Sequence, residues 1–435
     1  MFIGSKMKIH FIGIGGIGTS ALARLLLSRG NEVSGSDISD STLLEELRRE
    51  GVKIFVGEPS GNNIPKGTEK VIYTVAVEES NVESQRAKEL GVALQTYPQA
   101  LGELSKNYFT LAVTGSHGKS TTTSMLALMM IKAGLDPTVI VGTKLKEFHG
   151  SNFRKGSGKY LVIEADDFNR SFLNYTPQVA VATNVDAEHL DTYGNIEGVV
   201  QGFNEYLRQL PEESVAILNK ENKYTERIKD GVKAEILYFE TPKESWRMQI
   251  PGKFNQLNAE AAWLAAEIVG VTMEQAKNAV SEYKGAWRRM ERLSPKENNF
   301  DGKTFFSDYG HHPTEVSATL GALKEANPKK LLTVIYQPHQ VRRLTELFSE
   351  FTEAFDSADQ IILMPVYKVV GRDPEEGRTS EELCEALKKR GLSVDFSPDI
   401  KSTLDRLTGE VVVFMGAGSI DQQVRGYFKS ELLPV

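Results

Sequence analysis

Short apolar segments rich in β-branched residues recur along the first hundred residues, and segments of helical length and spacing separate them. The strand-like segments are Lys8–Ile12, Glu32–Ser36, Lys53–Val56, Lys70–Val75 and Ala93–Thr96. The helix-like segments are Thr19–Arg29, Ser41–Glu50 and Val82–Leu90. Strands that alternate with helices of this length predict a parallel sheet with right-handed crossovers.

The same alternation continues in two further blocks of the chain. Strands are predicted at Phe109–Thr114, Tyr160–Ala165, Val179–Thr183 and Val215–Leu218, and then at Thr304–Asp308, Leu331–Tyr336, Gln360–Met364, Ser393–Phe396 and Val411–Met415. Helices are predicted at Thr121–Ala133 and Asn255–Val269, and the polar stretch Ser294–Asp301 is predicted to be a connecting loop. A chain of 435 residues also suggests about three domains. We therefore predict an α/β protein with domains at residues 1–105, 106–290 and 291–435.

Composition narrows the class of protein. Hydrophobic residues make up 40% of the chain, charged residues 25%, and the mean hydropathy of −0.29 is that of a globular protein. No apolar run approaches the ~20 residues that a bilayer span requires. The net charge of −7 argues against a general nucleic-acid binder. A single cysteine and no visible signal peptide favour a cytoplasmic enzyme or binding protein.

The segment Gly115-Ser-His-Gly-Lys-Ser-Thr121 follows a predicted strand and opens a predicted helix. Glycines in such a loop let backbone N–H groups surround phosphate oxygens, and the helix N-terminus adds partial positive charge. Lys119 would reach the β- and γ-phosphates, and Ser120 or Thr121 would bind Mg²⁺. The eight-residue form of this motif would have a glycine where the chain has Val113. The alternative is a glycine-rich turn with a solvated lysine, but strand, helix and Lys-Ser-Thr together favour nucleotide binding.

A second glycine-rich loop, Gly13-Ile-Gly-Gly-Ile-Gly18, follows the first strand, and Asp37 follows the second. Glycines at this spacing allow close approach to a pyrophosphate, and an acid about 20 residues later can accept from a ribose hydroxyl. A tight packing turn would give the same spacing. The pattern indicates a diphosphate ligand and does not by itself indicate nicotinamide.

Acids and a histidine follow two strands of the middle block. Glu164-Ala-Asp-Asp167 ends one strand, where its carboxylates can hold Mg²⁺ or the water around it. The segment Asn184–Tyr193 follows the next strand and contains His189, a candidate metal or phosphate ligand. A surface acid and a packed histidine are the structural alternatives for these residues.

Two polar segments follow strands of the last block. Asp308-Tyr-Gly-His-His-Pro313 has adjacent histidines, which in an extended chain point to opposite sides. Gln337-Pro-His-Gln-Val-Arg-Arg343 offers arginines that can bind a carboxylate through two hydrogen bonds. Both segments lie just beyond strand ends, where α/β sheets bind ligands.

Taken together, these motifs resemble the Mur ligase family, the ATP-dependent amide-forming enzymes of peptidoglycan precursor synthesis. The resemblance covers nearly the whole chain and also includes Gly35-Ser-Asp37, Asn255-Gln-Leu-Asn258, Arg288-Arg289 and Gly416-Ala-Gly418. Within the family, the first glycine loop combined with Asp308–Pro313 and Gln337-Pro-His339 is typical of the alanine-adding member.

The resemblance implies three domains: an N-terminal Rossmann-like domain for a UDP-sugar, a central P-loop ATPase-like domain, and a C-terminal Rossmann-like domain that binds the amino acid and closes over ATP. The implied UDP-sugar residues are Gly13, Gly15, Gly16, Gly18 and Asp37, a site that replaces the dinucleotide interpretation. The implied ATP residues are Gly115, Ser116, His117, Gly118, Lys119, Ser120, Thr121, Asn255, Asn258, Arg289, Asp308 and His311. The implied catalytic residues are Lys119, Glu164 and His189, the implied metal ligands are Ser120, Glu164 and His189, and the implied amino-acid residues are His312, His339 and Arg343.

The implied reaction joins L-alanine to the lactyl carboxylate of UDP-N-acetylmuramate through an acyl phosphate, with ATP and Mg²⁺, and gives ADP and phosphate. Such an enzyme would be a cytoplasmic monomer or homodimer that binds no nucleic acid and does not insert into a membrane. The main alternative is the related recycling ligase, which joins a murein tripeptide to the same UDP-sugar. A nicotinamide-dependent dehydrogenase and a P-loop ATP binder without ligase activity are further alternatives.

The chain departs from the family pattern at several positions. Gln340 stands where an arginine is frequent, and Phe254 stands where a histidine is usual. Ser307 and Ser419 replace aspartates, and Thr74-Val75 replaces paired serines. No lysine lies between Lys159 and Lys220, so the carbamylated lysine of several relatives is not expected. These departures affect the amino-acid assignment more than the assignment to the family.

Overall fold

A computed structural model describes residues 6–78, 80–295, 300, 302–369, 373–404 and 406–428. The chain divides into two compact units. The first consists of Met1–Lys144, Ser151–Thr241 and Asn258–Val280, and the second consists of Leu145–Gly150, Pro242–Leu257 and Ser281–Val435. The first unit contains two sheets and the second contains one, so the α/β architecture with N-terminal, central and C-terminal domains is confirmed.

The N-terminal sheet has five parallel strands in the order β3-β2-β1-β4-β5. Its strands are β1 (Lys8–Ile12), β2 (Glu32–Asp37), β3 (Lys53–Val56), β4 (Lys70–Tyr73) and β5 (Ala93–Thr96), and its helices are α1 (Ile17–Ser28), α2 (Thr42–Arg49), α3 (Val82–Glu89) and α4 (Tyr97–Ser105). The chain order reverses beside β1, which is where open α/β sheets bind ligands. The first glycine loop follows β1 and leads into α1.

The central sheet has the order β12-β11-β10-β6-β9-β7-β8. Its strands are β6 (Phe109–Thr114), β7 (Thr138–Leu145), β8 (Ser151–Arg154), β9 (Tyr160–Glu164), β10 (Val179–Ala182), β11 (Val215–Asn219) and β12 (Glu235–Phe239). The helices are α5 (Lys119–Lys132), α6 (Leu190–Tyr193), α7 (Ile196–Arg208), α8 (Thr225–Ile228), α9 (Lys253–Ile268) and α10 (Met273–Glu282). Because β6 pairs in parallel with β9 on one side and β10 on the other, the segments after these three strands meet at one sheet edge.

The two sheets of the first unit share a hydrophobic core. Phe11 and Leu22 of the N-terminal domain and Ile163 and Phe203 of the central domain are fully buried members of one cluster. Burying side chains of this size stabilises each by about 1.5–3 kcal/mol relative to exposure. The N-terminal and central domains are therefore packed together through apolar side chains.

The C-terminal sheet has the order β13-β14-β18-β15-β16-β17. Its strands are β13 (Glu291–Leu293), β14 (Thr304–Asp308), β15 (Leu332–Tyr336), β16 (Gln360–Leu363), β17 (Val394–Phe396) and β18 (Val411–Met415), and its helices are α11 (Pro313–Ala326), α12 (Val341–Glu346), α13 (Phe348–Glu353), α14 (Ser380–Lys389), α15 (Ile400–Leu404) and α16 (Ile420–Phe428). The edge strand β13 was not predicted and pairs antiparallel with β14, whereas the predicted strands of this sheet pair in parallel with one another. A three-residue strand carries too little periodicity to be recognised in the sequence.

Most predicted strands and helices are confirmed to within one or two residues. Helix α5 begins two residues before its predicted start. The elements without a predicted counterpart include the strands β7, β8, β12 and β13 and the helices α4, α7 and α10. Helix α4 carries a signal that could have located it, since Thr96 and Gln99 form a capping box at its start. Of the predicted loop Ser294–Asp301, residues 296–299 and 301 lie outside the described residues, and the three domain limits stay predictions.

No helix in the part of the chain that the structure describes combines the length and apolar composition needed to cross a bilayer.

Candidate active site

Glycines 115 and 118 give the loop between β6 and α5 its shape. Gly115 has φ 133°, and a Cβ added there would lie 1.9 Å from Oγ1 of Thr183. Gly118 has φ 82°, and an added Cβ would lie 2.4 Å from Oδ1 of Asn258. Side chains at these positions would both strain the backbone and collide with neighbours. The loop thus requires the glycines that the motif supplies.

The segment after β10 holds this loop in place. Asn184 accepts the N–H of Ser116 at its carbonyl (3.0 Å) and the N–H of His117 at Oδ1 (2.9 Å). Thr183 donates from Oγ1 to the carbonyl of His117 at 2.6 Å, and the ring of His117 contacts Asp186 at 3.0 Å. The N–H groups that stay available to an anion are those of the first turn of α5, which have no intrahelical partners. Sequence reasoning did not identify this supporting role of Asn184.

Lys119 is held by carboxylate and carbonyl groups. Its Nζ donates to the carbonyl of Gly115 at 2.7 Å and to Oδ1 of Asp167 at 2.6 Å, and its side chain is only 12% exposed. Burial alone would lower the pKa of Lys119, but Asp167 and Asp166 outweigh it and raise the pKa. The lysine is therefore a permanent cation at the mouth of the loop.

Glu164, at the end of β9, connects α5 to β7. Its Oε1 accepts from Ser120 Oγ at 3.0 Å, and its Oε2 accepts from the N–H of Gly142 at 2.7 Å. Gly142 has no room for a side chain, because an added Cβ would lie 2.7 Å from both carboxylate oxygens. The structure thus brings together the hydroxyl and the carboxylate that the sequence predicted as metal ligands.

His189 lies next to two aspartates. Ligand atoms of Asp166, Asp167 and His189 all lie within 4.8 Å of one another, and Nε2 of His189 is 3.9 Å from Oδ1 of Asp167. Asp167 is fully buried, and its Oδ2 has no hydrogen-bond partner among the described residues. Carboxylate and hydroxyl oxygens with one imidazole suit a hard divalent cation, so the donors present fit Mg²⁺. Asp167 belongs to the acidic segment predicted to hold Mg²⁺ or its water, although the ligand set implied by the family resemblance did not include it.

Contacts within the N-terminal domain fix the shape of the first glycine loop. Gly13 has φ 75°, and its N–H donates to the carbonyl of Ser36 at 2.9 Å. The N–H of Gly15 donates to Oδ2 of Asp37 at 2.8 Å, and a Cβ on Gly18 would lie 2.8 Å from the ring of Tyr97. Of the remaining predicted residues, Gly16 is the N-cap of α1, so the loop leads directly into a helix N-terminus. The five predicted UDP-sugar residues are therefore together at the carboxyl end of the sheet.

In the C-terminal domain, Asp308 lies buried at the end of β14. Its carboxylate accepts the N–H groups of Met290 and Gly310, both at 2.8 Å. Burial raises the pKa of Asp308 to about 6, although Arg289 and these two N–H groups act in the opposite direction. The carboxyl group is thus mainly ionised at neutral pH and becomes protonated in mild acid.

The raised pKa of Asp308 makes its effect on stability depend on pH. Because the native state holds the proton more tightly than the unfolded state does, this group increases stability as the pH falls from about 6 towards 4. We expect the wild type to gain about 2 kcal/mol relative to Asp308→Asn between pH 7.5 and pH 4.5. Denaturant unfolding of both proteins over this range measures the difference, and a constant difference would contradict the burial argument.

The histidines and arginines after β14 and β15 have distinct partners. His312 accepts the N–H of Thr314 at Nδ1 and caps α11, whereas Nδ1 of His311 donates to the carbonyl of Tyr309 at 3.0 Å. Arg343 donates to the carbonyl of His339 at 3.2 Å. The rings of His311 and His339 have their centroids 5.9 Å apart, so these two predicted residues lie together.

The last predicted ATP residues lie in different parts of the fold. Thr121 is buried in the first turn of α5, and Asn258 on α9 accepts from Thr122 Oγ1 at 3.2 Å. Asn255 donates to the carbonyl of Pro251 at 2.7 Å. Arg289 forms an ion pair with Glu315 at 3.7 Å and stacks over Tyr309.

Comparison with known proteins places this arrangement in a family. Residues 8–109 match the model described as "Mur ligase family, catalytic domain", residues 113–247 match "Mur ligase middle domain", and residues 288–418 match "Mur ligase, glutamate ligase domain". UDP-N-acetylmuramate–L-alanine ligase of Caldanaerobacter subterraneus subsp. tengcongensis is 37% identical, with 95% of each chain covered. This chain belongs to the Mur ligase family. The ligase of the same name from Aquifex aeolicus is 36% identical over 97% of each chain.

Solved structures of Mur ligases share the fold. UDP-N-acetylmuramate–alanine ligase from Thermotoga maritima superposes with a TM-score of 0.81 at 26% identity and covers 97% of this chain and 98% of its own. A murein peptide ligase from Psychrobacter arcticus superposes with a TM-score of 0.72 at 21% identity over 99% of each chain. At that lower identity the second likeness shows only the common Mur ligase fold.

Proposed function

We propose that this Mur ligase joins L-alanine to the lactyl carboxylate of UDP-N-acetylmuramate at the expense of ATP. The observation that carries the proposal is the likeness over 95% of the chain to relatives named UDP-N-acetylmuramate–L-alanine ligase. The buried Lys119 beside the Glu164 and Asp167 carboxylates is consistent with phosphoryl transfer at this site. These relatives favour the alanine-adding reaction over the tripeptide-recycling one.

In the proposed mechanism, the loop Gly115–Thr121 binds the phosphates of ATP through the first-turn N–H groups of α5. Lys119 exchanges its contact with Asp167 for the β- and γ-phosphate oxygens. Ser120 and Glu164 on one side, and Asp167 and His189 on the other, would hold Mg²⁺, which would supply positive charge against the phosphate oxygens. Positioning and charge stabilisation supply most of the rate enhancement in phosphoryl transfer.

The chemistry proceeds in two balanced steps. An oxygen of the lactyl carboxylate attacks the γ-phosphorus, the bond to the β-phosphate oxygen breaks, and ADP leaves. The neutral amine of L-alanine then attacks the acyl phosphate carbon, inorganic phosphate leaves with the bonding electrons, and the amine loses a proton. The first glycine loop and Asp37 would bind the UDP part. His189 is the candidate to accept the proton, through the ring nitrogen that does not face Asp167 and the metal site.

Arg343 is the proposed partner of the alanine carboxylate. It lies beside His339, whereas Arg342 pairs with Glu346 on the exposed side of α12. We expect Arg343→Ala to raise the KM for L-alanine about 10- to 100-fold, as for other charge-assisted hydrogen bonds of about 1.5–3 kcal/mol, with little change in the KM for ATP. Arg342→Ala is the matched control and should leave both constants within twofold. Equal increases in the KM for L-alanine and the KM for ATP would show that Arg343 does not bind the amino acid specifically.

Phosphate release from ATP tests the proposed function directly. The purified protein is incubated with ATP, Mg²⁺ and UDP-N-acetylmuramate, and L-alanine, other amino acids and the murein tripeptide are added separately. Release that requires both the UDP-sugar and L-alanine is the expected result. Release only with the tripeptide would establish the recycling ligase instead, and release without any UDP-sugar would identify an ATPase of another function.

A further inference from the structure

A polar cluster around a buried arginine connects the N-terminal and central domains and includes none of the residues of the proposed reaction centre. Its members are Arg24 on α1, Glu46 on α2, Glu50 after α2, Lys144 on β7 and Asn152 on β8, and we call it the interdomain cluster. Arg24 is 5% exposed, Lys144 is 5% exposed and Asn152 is fully buried. The first glycine loop, the phosphate loop Gly115–Thr121 (the P-loop) and the interdomain cluster all belong to the first compact unit.

The guanidinium group of Arg24 donates hydrogen bonds to three side chains. Its Nε donates to Glu50 at 2.9 Å, one terminal nitrogen donates to Glu46 at 3.0 Å, and the other donates to Oδ1 of Asn152 at 2.5 Å. Glu46 also accepts from Lys144 Nζ at 2.7 Å. Two of these contacts cross from the N-terminal to the central domain. Arg24 and Lys144 are buried, whereas the side chains of Glu46 and Glu50 are 31% and 38% exposed. Buried cations require such partners, so the contacts that cross the domains favour one relative placement of the two domains.

Asn152 reaches the helix that carries the first glycine loop. Its side-chain amide donates to the carbonyl of Ile17, the first residue of α1, and to Ser20 Oγ at 2.9 Å. Gly16, the N-cap of α1, immediately precedes that residue. Strand β8 of the central domain therefore holds the N-terminal end of α1, where the UDP-sugar loop ends.

On the other side, the cluster is continuous with the carboxylate of the reaction centre. Lys144 and Gly142 lie two residues apart on β7, and the N–H of Gly142 donates to Glu164 at 2.7 Å. Glu164 in turn accepts from Ser120 of the P-loop helix. A short segment of β7 thus joins Lys144, which pairs with Glu46 of α2, to Gly142, which contacts Glu164.

We propose that Asn152 and Arg24 are positioning residues, which set the separation between the UDP-sugar loop and the P-loop for phosphoryl transfer. This inference rests on the proposed function, because the two loops must bind the carboxylate and the phosphate that react. Reacting atoms have to approach to about 3–3.5 Å, and a misplacement of 1 Å can cost on the order of 10²-fold in rate. Neither Asn152 nor Arg24 is among the residues proposed to bind a substrate, so the affinity for each substrate measured alone should change little.

The test is the kinetic and binding profile of Asn152→Ala. We expect kcat with L-alanine to fall at least tenfold, while the Kd of UDP-N-acetylmuramate and the Kd of ATP, each measured alone by calorimetry, stay within twofold. Arg154→Ala is the matched control on the same strand, because Arg154 pairs with Asp136 inside the central domain. That variant should lose stability without losing kcat. An unchanged kcat in folded Asn152→Ala would overturn the proposal.

Arg24 provides a second variant that does not depend on the first one folding. Arg24→Lys keeps the charge but has its donors on one nitrogen and cannot reproduce the three directions of the guanidinium, so kcat should lie between wild type and Asn152→Ala. Arg24→Gln combined with Asn152→Ala should lose little more than the more damaging single variant, since both variants break the contact between Arg24 and Asn152. Fully additive losses would show that the two residues act separately and would contradict a common positioning role.

A distance measurement separates failure of this inference from failure of the proposed function. Spin labels on cysteines at the exposed positions Glu89 and Glu212, in a Cys384→Ser background, report the separation of the N-terminal and central domains. We expect the distance distribution to broaden or shift in Asn152→Ala and to stay unchanged in Arg154→Ala. An unchanged distribution in both variants would overturn the inference, whatever acceptor the enzyme uses.

Discussion

Replacing Lys119 with methionine is expected to lower phosphoryl transfer by about 10²–10³-fold, the cost of removing one charge-stabilising donor from an active site. The buried ammonium lies at the mouth of the phosphate loop, and methionine removes its charge while keeping much of its volume. The UDP-sugar should bind with unchanged affinity, because the first glycine loop belongs to a different sheet. Initial rates of phosphate release and calorimetric binding of the UDP-sugar measure the two effects.

Lys132, at the last turn of the same helix, is the matched control, and Lys132→Met should retain the wild-type rate. If Lys119→Met lowered the affinity for the UDP-sugar as much as it lowered the rate, the assignment of the UDP-sugar and ATP to two separate loops would be wrong.

The same substitution has an effect on stability that must be separated from catalysis. Lys119→Met leaves Asp167 buried without its cation, and breaking a buried ion pair in this way costs about 3–5 kcal/mol. Lys119→Met combined with Asp167→Asn removes both charges, so most of the lost stability should return. Denaturant unfolding of the wild type and the two variants measures this, and the absence of recovery would mean that the pair does not control stability.

Glu164→Gln is expected to reduce kcat by about 10²-fold or more, comparable to the loss of one electrostatic group in an active site. The amide has no charge for a divalent cation, and its single oxygen cannot accept from both Ser120 and Gly142, which now contact different carboxylate oxygens. The Mg²⁺ concentration for half-maximal rate should rise together with the fall in kcat.

Titration of the rate with Mg²⁺ at saturating ATP tests this expectation for Glu164. Glu235→Gln is the control, since Glu235 is an exposed carboxylate at the start of a strand in the same sheet. If Glu164→Gln lowered the rate without any change in Mg²⁺ dependence, Glu164 would be a support for α5 and β7 rather than part of the metal site.

Local patterns in the sequence predicted the strands and motif positions well. The apolar runs at Phe109–Thr114 and Thr304–Asp308 coincide with β6 and β14 residue for residue. The polar segments after β6, β9 and β10 meet at one edge because these strands are parallel neighbours. This outcome follows from general rules for α/β sheets and needs no knowledge of individual contacts.

The detailed partners of the side chains could not be predicted in the same way. His312 caps α11, where Pro313 and Glu315 are signals of a helix start, whereas Asn184 accepts two N–H groups of the phosphate loop without any such signal. The contacts of Asn184 depend on which segments the sheet order brings together, whereas the cap of α11 is a contact between residues two positions apart. The roles of the individual site residues therefore stay proposals to be tested by the substitutions above.

The sequence by itself determined the alternation of strands and helices, the two glycine loops and the resemblance to the Mur ligases, because periodicity, turn residues and motif spacing are properties of neighbouring residues. Only the tertiary structure decided that Lys119 pairs with Asp167 and that Arg24 contacts Asn152, 128 residues away in the chain. Burial creates these pairs: a charge removed from water requires a partner, and the fold determines which group is near enough to provide it.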